Sequence, residues 1–270
     1  EGFLSSCRAR LRPLFPLCLP PGVPDAPLDR ALLRELCCAV ELGGDALAAY
    51  DLKRQRGLPG LRLQSYCNSC AWVSSFHEGK SGCRARVLAS PASCCPKLLA
   101  VAEAVRSRAE KAVVMIRRSS GYLVMLELMR QVAARSETPF AVATAEEMAE
   151  FNHSSNCRGE RFRVLVADSA QCSEGVSFLA VRSVYLVDVP TLHSQFVQQC
   201  GRCVRMCGHS GLPEEEQTVR TRMYVARLPP WMRTPLGCWA FRACARHEDR
   251  AGAAKALLGR LGGAGVGSLE

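Results

Sequence analysis

The sequence predicts an α/β protein in which a mostly parallel sheet carries helices on both faces. Apolar runs of strand length alternate with helical periodicity between residues 96 and 228, and most of those runs have no polar face. Such runs are typical of strands that are covered on both sides, as in parallel sheets. With 270 residues, 48% hydrophobic and 22% charged, the chain can bury a core and is not disordered as a whole.

The elements between residues 96 and 134 are the most regular. Apolar residues from Pro96 to Val105 recur at helical spacing, and a proline suits the first turn of a helix. The run Ala112 to Ile116 (AVVMI) predicts a buried strand, and Gly121 to Ala134 predicts the helix after it.

Shorter strands complete the predicted sheet. They are Phe140–Ala143, Phe162–Ala167, Val184–Asp188 and Val219–Val225. Thr144 and Glu147 have the spacing of a capping box, which predicts a short helix through Phe151. Thr191 is expected to cap a helix over residues 192–200, whose apolar positions recur every four residues.

The last predicted strand has a different pattern from the others. Residues 219, 221, 223 and 225 are apolar or small, and they alternate with Arg220, Arg222 and Tyr224. Strict alternation predicts a half-exposed strand with these three side chains on its outer face.

The regions on either side are less regular, which suggests three parts: 1–95, 96–228 and 229–270. Residues 1–27 hold six of the 15 prolines and are expected to be irregular. Leu28 to Tyr50 predicts a helix because leucines and Val40 step every four residues. Residues 51–95 are ambiguous, and residues 251–270 predict a frayed helix or a disordered tail.

Composition narrows the partners and the compartment. Lys and Arg number 35 against 25 Asp and Glu, which gives a net charge of +10. This excess is equally consistent with a polyanionic partner such as nucleic acid and with a charge that only keeps the protein soluble. The 16 cysteines are interpreted as small buried hydrophobes in a reducing compartment, so we expect an intracellular protein. No apolar run is long enough to span a membrane, and the initial Glu1 suggests a fragment of a longer chain.

Two segments that leave the ends of strands carry the chemistry. The first is Asp168 to Phe178, and the second is Gln198 to Arg205 (QQCGRCVR). Ligands of open parallel sheets bind at the carboxyl ends of strands, and Gly175 and Gly201 would let the backbone approach a ligand closely. Arginines at 202 and 205 can point the same way and suit phosphate, although they could instead cap a helix and pair with surface carboxylates.

These segments resemble the signature motifs of superfamily 2 helicases. The pattern Gln-x-x-Gly-Arg-x-x-Arg, from Gln198 to Arg205, is similar to the last motif, and Ser169 to Phe178, centred on Glu174 and Gly175, resembles the motif one strand earlier. Phe151-Asn152, Asn156 and Gly159 resemble the approach to that motif. Residues 208–215 (GHSGLPEE) resemble a narrower group: poxvirus- and giant-virus-type nucleoside triphosphatases and their protist relatives.

The resemblance covers residues 94–228 and implies the C-terminal RecA-like domain of an ATP-dependent helicase or translocase. In that family two RecA-like domains close on ATP. The resemblance assigns the arginines at 202 and 205 to the γ-phosphate of ATP. It assigns Gln198, Gly201, Gly175 and Glu174 to the nucleotide site, and Ser169 and Gln171 to nucleic acid. Single-stranded nucleic acid and an upstream RecA-like domain are the implied partners, and that upstream domain would hold Mg²⁺.

The sequence also departs from a complete helicase. It contains no Gly-x-x-x-x-Gly-Lys-Ser/Thr phosphate loop; the nearest segment, Ser74 to Ser81, lacks the first glycine, and Gly82 disfavours the helix that should follow. ATP hydrolysis is therefore expected only in a complete two-domain motor. The alternative is a non-catalytic nucleic-acid-binding or scaffold module with a degenerate helicase fold.

Two groups of cysteines offer weaker alternatives. Cys67, Cys70, His77 and Cys83 could staple a small zinc module, but their spacing is irregular, so we predict no metal site. The Cys200-x-x-Cys203 pair could suggest redox chemistry, but it does not open a helix after a strand. His209 is expected to be structural or solvated. The sequence does not decide between DNA and RNA, or between unwinding and translocation.

Overall fold

The computed structural model describes residues 36–57, 66, 68, 69, 81–170, 175–190, 192–205 and 207–263. In that part of the chain, six strands form one sheet. They are β1 (Cys37–Glu41), β2 (Ala112–Ile116), β3 (Val142–Ala143), β4 (Val164–Asp168), β5 (Ser183–Leu186) and β6 (Arg220–Arg227). Their order across the sheet is β1-β6-β5-β2-β4-β3, and the neighbours from β6 to β3 pair in parallel.

In the described residues, four α-helices lie between β1 and β2, one follows each of β2, β3 and β5, and two follow β6. In chain order these helices are α1 (Gly44–Gln55), α2 (Ser81–Ala89), α3 (Pro91–Cys94), α4 (Pro96–Arg106), α5 (Tyr122–Ala134), α6 (Met148–Phe151), α7 (His193–Gly201), α8 (Pro235–Ala243) and α9 (Arg250–Gly263). By backbone contacts the described residues divide into two compact units, one within 36–39 and 100–225 and the other within 40–99 and 226–263.

The central strands β2, β4 and β5 are buried at every position, so both faces of the sheet are covered. On one face Val113, Leu165 and Val184 pack in a single cluster with Phe178 and with residues of α7. On the other face the Tyr122 hydroxyl of α5 donates to the Val166 carbonyl at 3.2 Å. Parallel strands need both layers because their residues are apolar on both sides. The predicted RecA-like α/β class is confirmed.

Most elements between residues 96 and 228 lie where the sequence places them. The predicted helix at Pro96, the strand AVVMI and the helix after Gly121 all form. Gly121 is the N-cap of α5 with a φ of +110°, a conformation that glycine adopts without a steric penalty. The other predicted strands shift by at most two residues at their ends.

The predicted helix from Leu28 to Tyr50 is wrong over residues 37–43, whereas residues 44–50 are helical as predicted. Residues 28–35 lie outside the described residues, Cys37–Glu41 form strand β1, and α1 begins only at Gly44. A step of four residues fits helical spacing, but it also fits the two-residue alternation of a strand. Gly43 and Gly44 then interrupt any continuous helix, because Gly44 has a φ of +51°.

Smaller expectations are corrected in the same way. Tyr224 is not on an outer face: it is buried, and its ring lies 6.3 Å from that of Tyr185. Only one bond of the predicted capping box forms: the Glu147 carboxylate accepts from the Thr144 amide at 2.7 Å. The N-cap of α6 is Glu147 and not Thr144. A helix, α2, does form after Ser81 despite Gly82. Thr191 and residues 71–80 lie outside the described residues.

The second unit has a core of its own. Leu42 and Leu47 pack there with Met232, Phe241 and Ala254. Helix α9 extends to Gly263, so residues 251–263 are helical, and residues 264–270 lie outside the described part. Within the described ranges, no helix is both long and apolar enough to cross a membrane.

Candidate functional site

A polar pocket of about 290 Å³ opens at the carboxyl ends of three neighbouring strands. Arg117 follows β2, Ser169 follows β4 and Asp188 lies two residues after β5. The other lining residues come from these loops and from α7: Ala170, Val189, Pro190, Gln195, Gln198 and Gln199. This is the edge at which parallel sheets bind ligands.

An internal contact orients the charged groups of this pocket. The Arg117 amide donates to Asp188 Oδ2 at 2.7 Å, and the Arg117 Nε lies 3.6 Å from the same oxygen. On the β4 side, the Ala170 amide donates to Asp168 Oδ1 at 3.0 Å, which fixes the turn at Ser169. The pocket therefore presents one arginine, its counter-ion and several amide side chains, a set suited to hydrogen-bonding a polar ligand.

The family resemblance assigned Ser169 to nucleic acid and Gln198 to the nucleotide, and sequence reasoning missed Arg117 and the role of Asp188 as its partner. Both are charged residues near the carboxyl end of a buried strand. That position, rather than any motif, is the signal that could have identified them.

The segment that carries the arginine motif is hydrogen-bonded to the segment that ends at Phe178. Arg202 is the C-cap of α7; its Nη1 donates to the Val176 carbonyl at 3.3 Å, and its own carbonyl accepts from the Phe178 amide at 2.9 Å. Gly175 directly precedes this contact and has a φ of +70°, which favours glycine. The structure thus brings Gly175 and Arg202 close together, although neither lines the pocket at the carboxyl edge.

Gly201 and Arg205 have no such engagement. Gly201 is helical, and a Cβ added there would meet nothing within 4 Å. Arg205 is exposed, and its guanidinium has no hydrogen-bond or ion-pair partner among the described residues. The fold therefore does not require a glycine at position 201, and it does not require the charge of Arg205. Gln171 and Glu174 lie outside the described residues.

A buried cation supports the segment that leads to Gly175 and Phe178. Lys111 is 1% exposed, and its Nζ donates to the carbonyls of Phe151 and Leu179 at 2.6 and 2.9 Å. It also lies 4.3 Å from the centre of the Phe151 ring. Desolvation by burial lowers the pKa of Lys111 to about 8. Sequence reasoning did not single out this lysine, since nothing local distinguishes it from a surface residue.

Two asparagines complete the support. Asn152 donates to the Ser177 carbonyl at 2.8 Å and accepts from the Leu179 amide at 2.9 Å. Buried Asn156 makes four backbone hydrogen bonds, to Phe151, Arg161 and Phe162. These are the asparagines through which the sequence resembles the approach to the helicase motif, and in this fold they position the backbone.

The cysteine pair and the histidine near the arginines have structural surroundings. Desolvation raises the pKa of the Cys200 thiol to about 11, and Cys203 is fully buried, so neither favours the thiolate that redox chemistry needs. His209 is buried, and its Nε2 lies 2.7 Å from the Val181 carbonyl. Within the described ranges, no three His, Cys, Asp or Glu side chains are grouped to hold a metal, and Cys67, Cys70 and His77 lie outside those ranges.

Arg220 and Arg205 differ in how far a carboxylate offsets their charge. Arg220 lies at the start of β6, opposite the carboxyl edge, and its Nη1 is 3.4 Å from Glu110 Oε2. A carboxylate thus offsets part of its charge. Arg205, by contrast, keeps its full charge at the surface.

Sequence comparisons bear on these arrangements. The chain is 37% identical over 82 residues to the early transcription factor large subunit homolog of African swine fever virus, a match that covers 30% of this chain and 7% of that protein. It is 33% identical over 84 residues to an Acanthamoeba polyphaga mimivirus protein named as an ATP-dependent RNA helicase, covering 31% and 14%. The resemblance to superfamily 2 helicases is confirmed. The matched part spans less than a sixth of either viral relative, and no protein-family model matches the chain.

Solved helicase structures are more distant neighbours. The E. coli DEAD-box protein SrmB is 15% identical, with a TM-score of 0.35, and covers 48% of this chain and 70% of its own. The Pyrococcus furiosus Hef helicase domain is 17% identical, with a TM-score of 0.33, over 61% and 34%. Scores this low add no argument, so the resemblance depends on the viral sequences and the strand topology.

Proposed function

We propose that this chain is the C-terminal RecA-like half of an ATP-dependent helicase or nucleic-acid translocase. One observation supports the proposal most strongly: the end of α7 presents a glycine and an arginine that the fold does not use. A Cβ on Gly201 would point into open space, and Arg205 has no partner in the described chain. Residues with no structural task, in a segment that resembles a helicase motif, favour a task in binding or catalysis.

The residues present suit part of a nucleotide. Two arginines three residues apart, beside a glycine without crowding, can contact the terminal phosphate of ATP with planar, multidentate donors. The described residues include no group of three metal ligands. In the proposal, most of the nucleotide and its Mg²⁺ therefore belong to an upstream RecA-like domain.

The chemistry of this chain would be charge stabilisation. ATP bound between two domains supplies the phosphoryl group that is transferred to water. Arg202 and Arg205 would stabilise the charge that spreads over the phosphate oxygens during transfer. The bonds of Arg202 to the 176–178 segment would couple this contact to the loop that resembles the preceding motif.

The nucleic-acid partner is assigned to the loop after β4. Ser169 lines the pocket with Arg117, whose guanidinium can donate hydrogen bonds to a backbone phosphate although Asp188 offsets part of its charge. Gln171, assigned to the same partner by resemblance, belongs to this proposal as well. We expect a single strand to be the bound form.

A second candidate function, a non-catalytic nucleic-acid-binding or scaffold module, is favoured by one contact. Arg202 donates to the Val176 carbonyl, which is a structural use of a residue assigned to catalysis. If that use were its only one, the domain could bind nucleic acid without turning over ATP.

Nucleic-acid-stimulated ATPase of the complete gene product that contains this chain tests the proposal. Arg205→Ala and Arg202→Ala should each lower turnover about 10³-fold or more, the range for a charge-stabilising arginine. Arg202→Lys should rescue poorly, since a point charge cannot replace a planar fork. Arg135→Ala is the matched control, because Arg135 is likewise an arginine at the C-cap of a helix, α5.

Circular dichroism would verify that each variant folds. Folded alanine variants with near-normal turnover would contradict the assignment of the arginines. A complete protein that binds oligonucleotide but shows no turnover at all would favour the scaffold alternative.

A further inference from the structure

The second unit exposes an apolar stripe that its own core does not use. On helix α8, Gly237, Ala240 and Phe241 are buried, and a Cβ on Gly237 would lie 1.7 Å from the Trp231 carbonyl oxygen. These contacts fix which side of α8 faces inward. Leu236 and Trp239 on the outer side are 51% and 53% exposed.

The two described tryptophans of this unit differ sharply. Trp231 lies 5.7 Å from the Phe241 ring, and Arg250 stacks on that same ring at 3.8 Å. Trp231 therefore has a packing role. Trp239 has no ring, hydrogen-bond or cation contact among the described residues. Together with Leu236 it forms an exposed apolar patch, and such patches are found at interaction sites.

The net charge of the segment that carries this stripe indicates what kind of molecule binds there. Residues 226–263 contain seven Lys and Arg against two Asp and Glu, so they carry +5 of the chain's net +10. Arg242 is committed to buried Asp51 at 3.1 Å. Arg233 donates only to the neutral Leu228 carbonyl, and exposed Arg246 has no partner in the described chain, so both keep their charge available.

We infer that the outer face of α8 is a base-stacking platform for single-stranded nucleic acid, with Trp239 as the stacking residue. An exposed aromatic ring on a segment that also carries uncompensated arginines is a combination that binds single strands, because the ring stacks on a base while arginines contact the phosphates. A double strand offers no free base face to such a ring. A purely apolar protein partner would leave the positive charge unmatched.

This platform lies outside residues 94–228, so the helicase resemblance does not supply it. It deepens the proposed function, on which the choice of a nucleic-acid partner rests. It adds base stacking to a motor domain whose other proposed contacts are to the backbone. Stacking is tolerant of sequence, since every base has a π-face.

The test compares two labelled single strands of equal length and charge, a thymidine homopolymer and an abasic oligonucleotide, titrated against the chain at low salt. Wild-type protein should bind the thymidine strand about five- to 150-fold more tightly, the effect of stacking one base. Trp239→Ala should bring this ratio close to one, and Trp239→Phe should keep most of it. The intrinsic fluorescence of wild-type protein should be quenched by the thymidine strand alone, and Trp239→Phe should lose that quenching.

Matched variants separate stacking from charge and from folding. Leu236→Ala removes an exposed apolar residue on the same face and should leave the ratio unchanged. Arg246→Ala should weaken binding to both strands equally. Arg205→Ala should not change the ratio, so a failed ATPase assignment and a failed stacking platform give different results.

Two results would overturn the inference. One is a wild-type protein that does not distinguish the two strands. The other is a Trp239→Ala protein that keeps the full ratio; if that variant also loses self-association in sedimentation, the face is an interface between copies of the chain.

Discussion

Residues 152–159 and residues 198–205 both carry the helicase-like pattern, yet the fold uses them in opposite ways. In the first segment, Asn152 and Asn156 are engaged in backbone hydrogen bonds, and a Cβ on Gly159 would lie 2.9 Å from the Arg163 Cα. In the second, Gly201 is uncrowded and Arg205 is unpaired within the described chain. The helicase-like pattern therefore includes two kinds of residue: some stabilise the domain, and others make no side-chain contact in the described chain and remain available for a ligand.

The largest expected stability effect belongs to the first segment. Asn156→Leu should lower the free energy of unfolding by about 3 kcal/mol, because it leaves backbone groups of Phe151, Arg161 and Phe162 without their partners in a buried site. Urea unfolding of the chain measures this. The exposed neighbour Ser154 provides the control, and Ser154→Ala should stay within about 0.5 kcal/mol of wild type. A similarly small effect at 156 would remove the distinction between the segments.

A smaller effect concerns charge in the second segment. Binding of the chain to a single-stranded oligonucleotide should weaken steeply with salt, because contacts to phosphates release counterions. Arg205→Ala should reduce the slope of log affinity against log salt by about one. Arg220→Ala should change it less, because Glu110 already offsets that charge. Equal slopes for both variants, or affinity that is independent of salt, would argue against a phosphate contact at Arg205.

The smallest expected effect is the pH dependence of the contribution that buried Lys111 makes to stability. Burial lowers the pKa of Lys111 from 10.5 to about 8, so between these values the unfolded chain binds more protons than the folded chain. The contribution of Lys111 to stability should therefore rise as pH increases from 8 towards 10.5. A neutral amine still donates to both carbonyls. The free energy of unfolding of wild type minus that of Lys111→Met, measured in urea, should be more positive at pH 9.5 than at pH 7.5. A value that is lower at pH 9.5 would exclude this account.

The sequence predicted the regular part of the fold well because burial leaves a local trace there. The run AVVMI is apolar at every position, and β2 is buried at every position. The strand β1 was mistaken for a helix because its partner, β6, lies about 180 residues away along the chain. Tyr224 was predicted to lie on the outer face because it alternates with the apolar positions of its strand, but its ring packs on Tyr185 of the neighbouring strand.

The site was predictable only in part for a similar reason. Spacing identified the arginines of the second segment, whereas Arg117 and Asp188 meet only after β2 and β5 are aligned in the sheet. Lys111 has no local signal at all, since its partners, Phe151 and Leu179, are 40 and 68 residues away. Contacts between distant residues are set by topology, which periodicity does not report.

The central claim is that Gly201 and Arg205 are kept for a ligand and not for the fold, and Gly201→Ala tests it most directly. Alanine replaces a helical glycine in open space, so the free energy of unfolding should stay the same or rise by about 0.5–1 kcal/mol. Gly259→Ala is the matched control, another helical glycine with nothing within 4 Å of its Cβ. In the complete protein, Gly201→Ala should lower nucleic-acid-stimulated ATP turnover about 10²-fold, the effect of a small misplacement, while Gly259→Ala leaves turnover unchanged. Equal turnover in the two variants, or a loss of stability in Gly201→Ala alone, would contradict the claim.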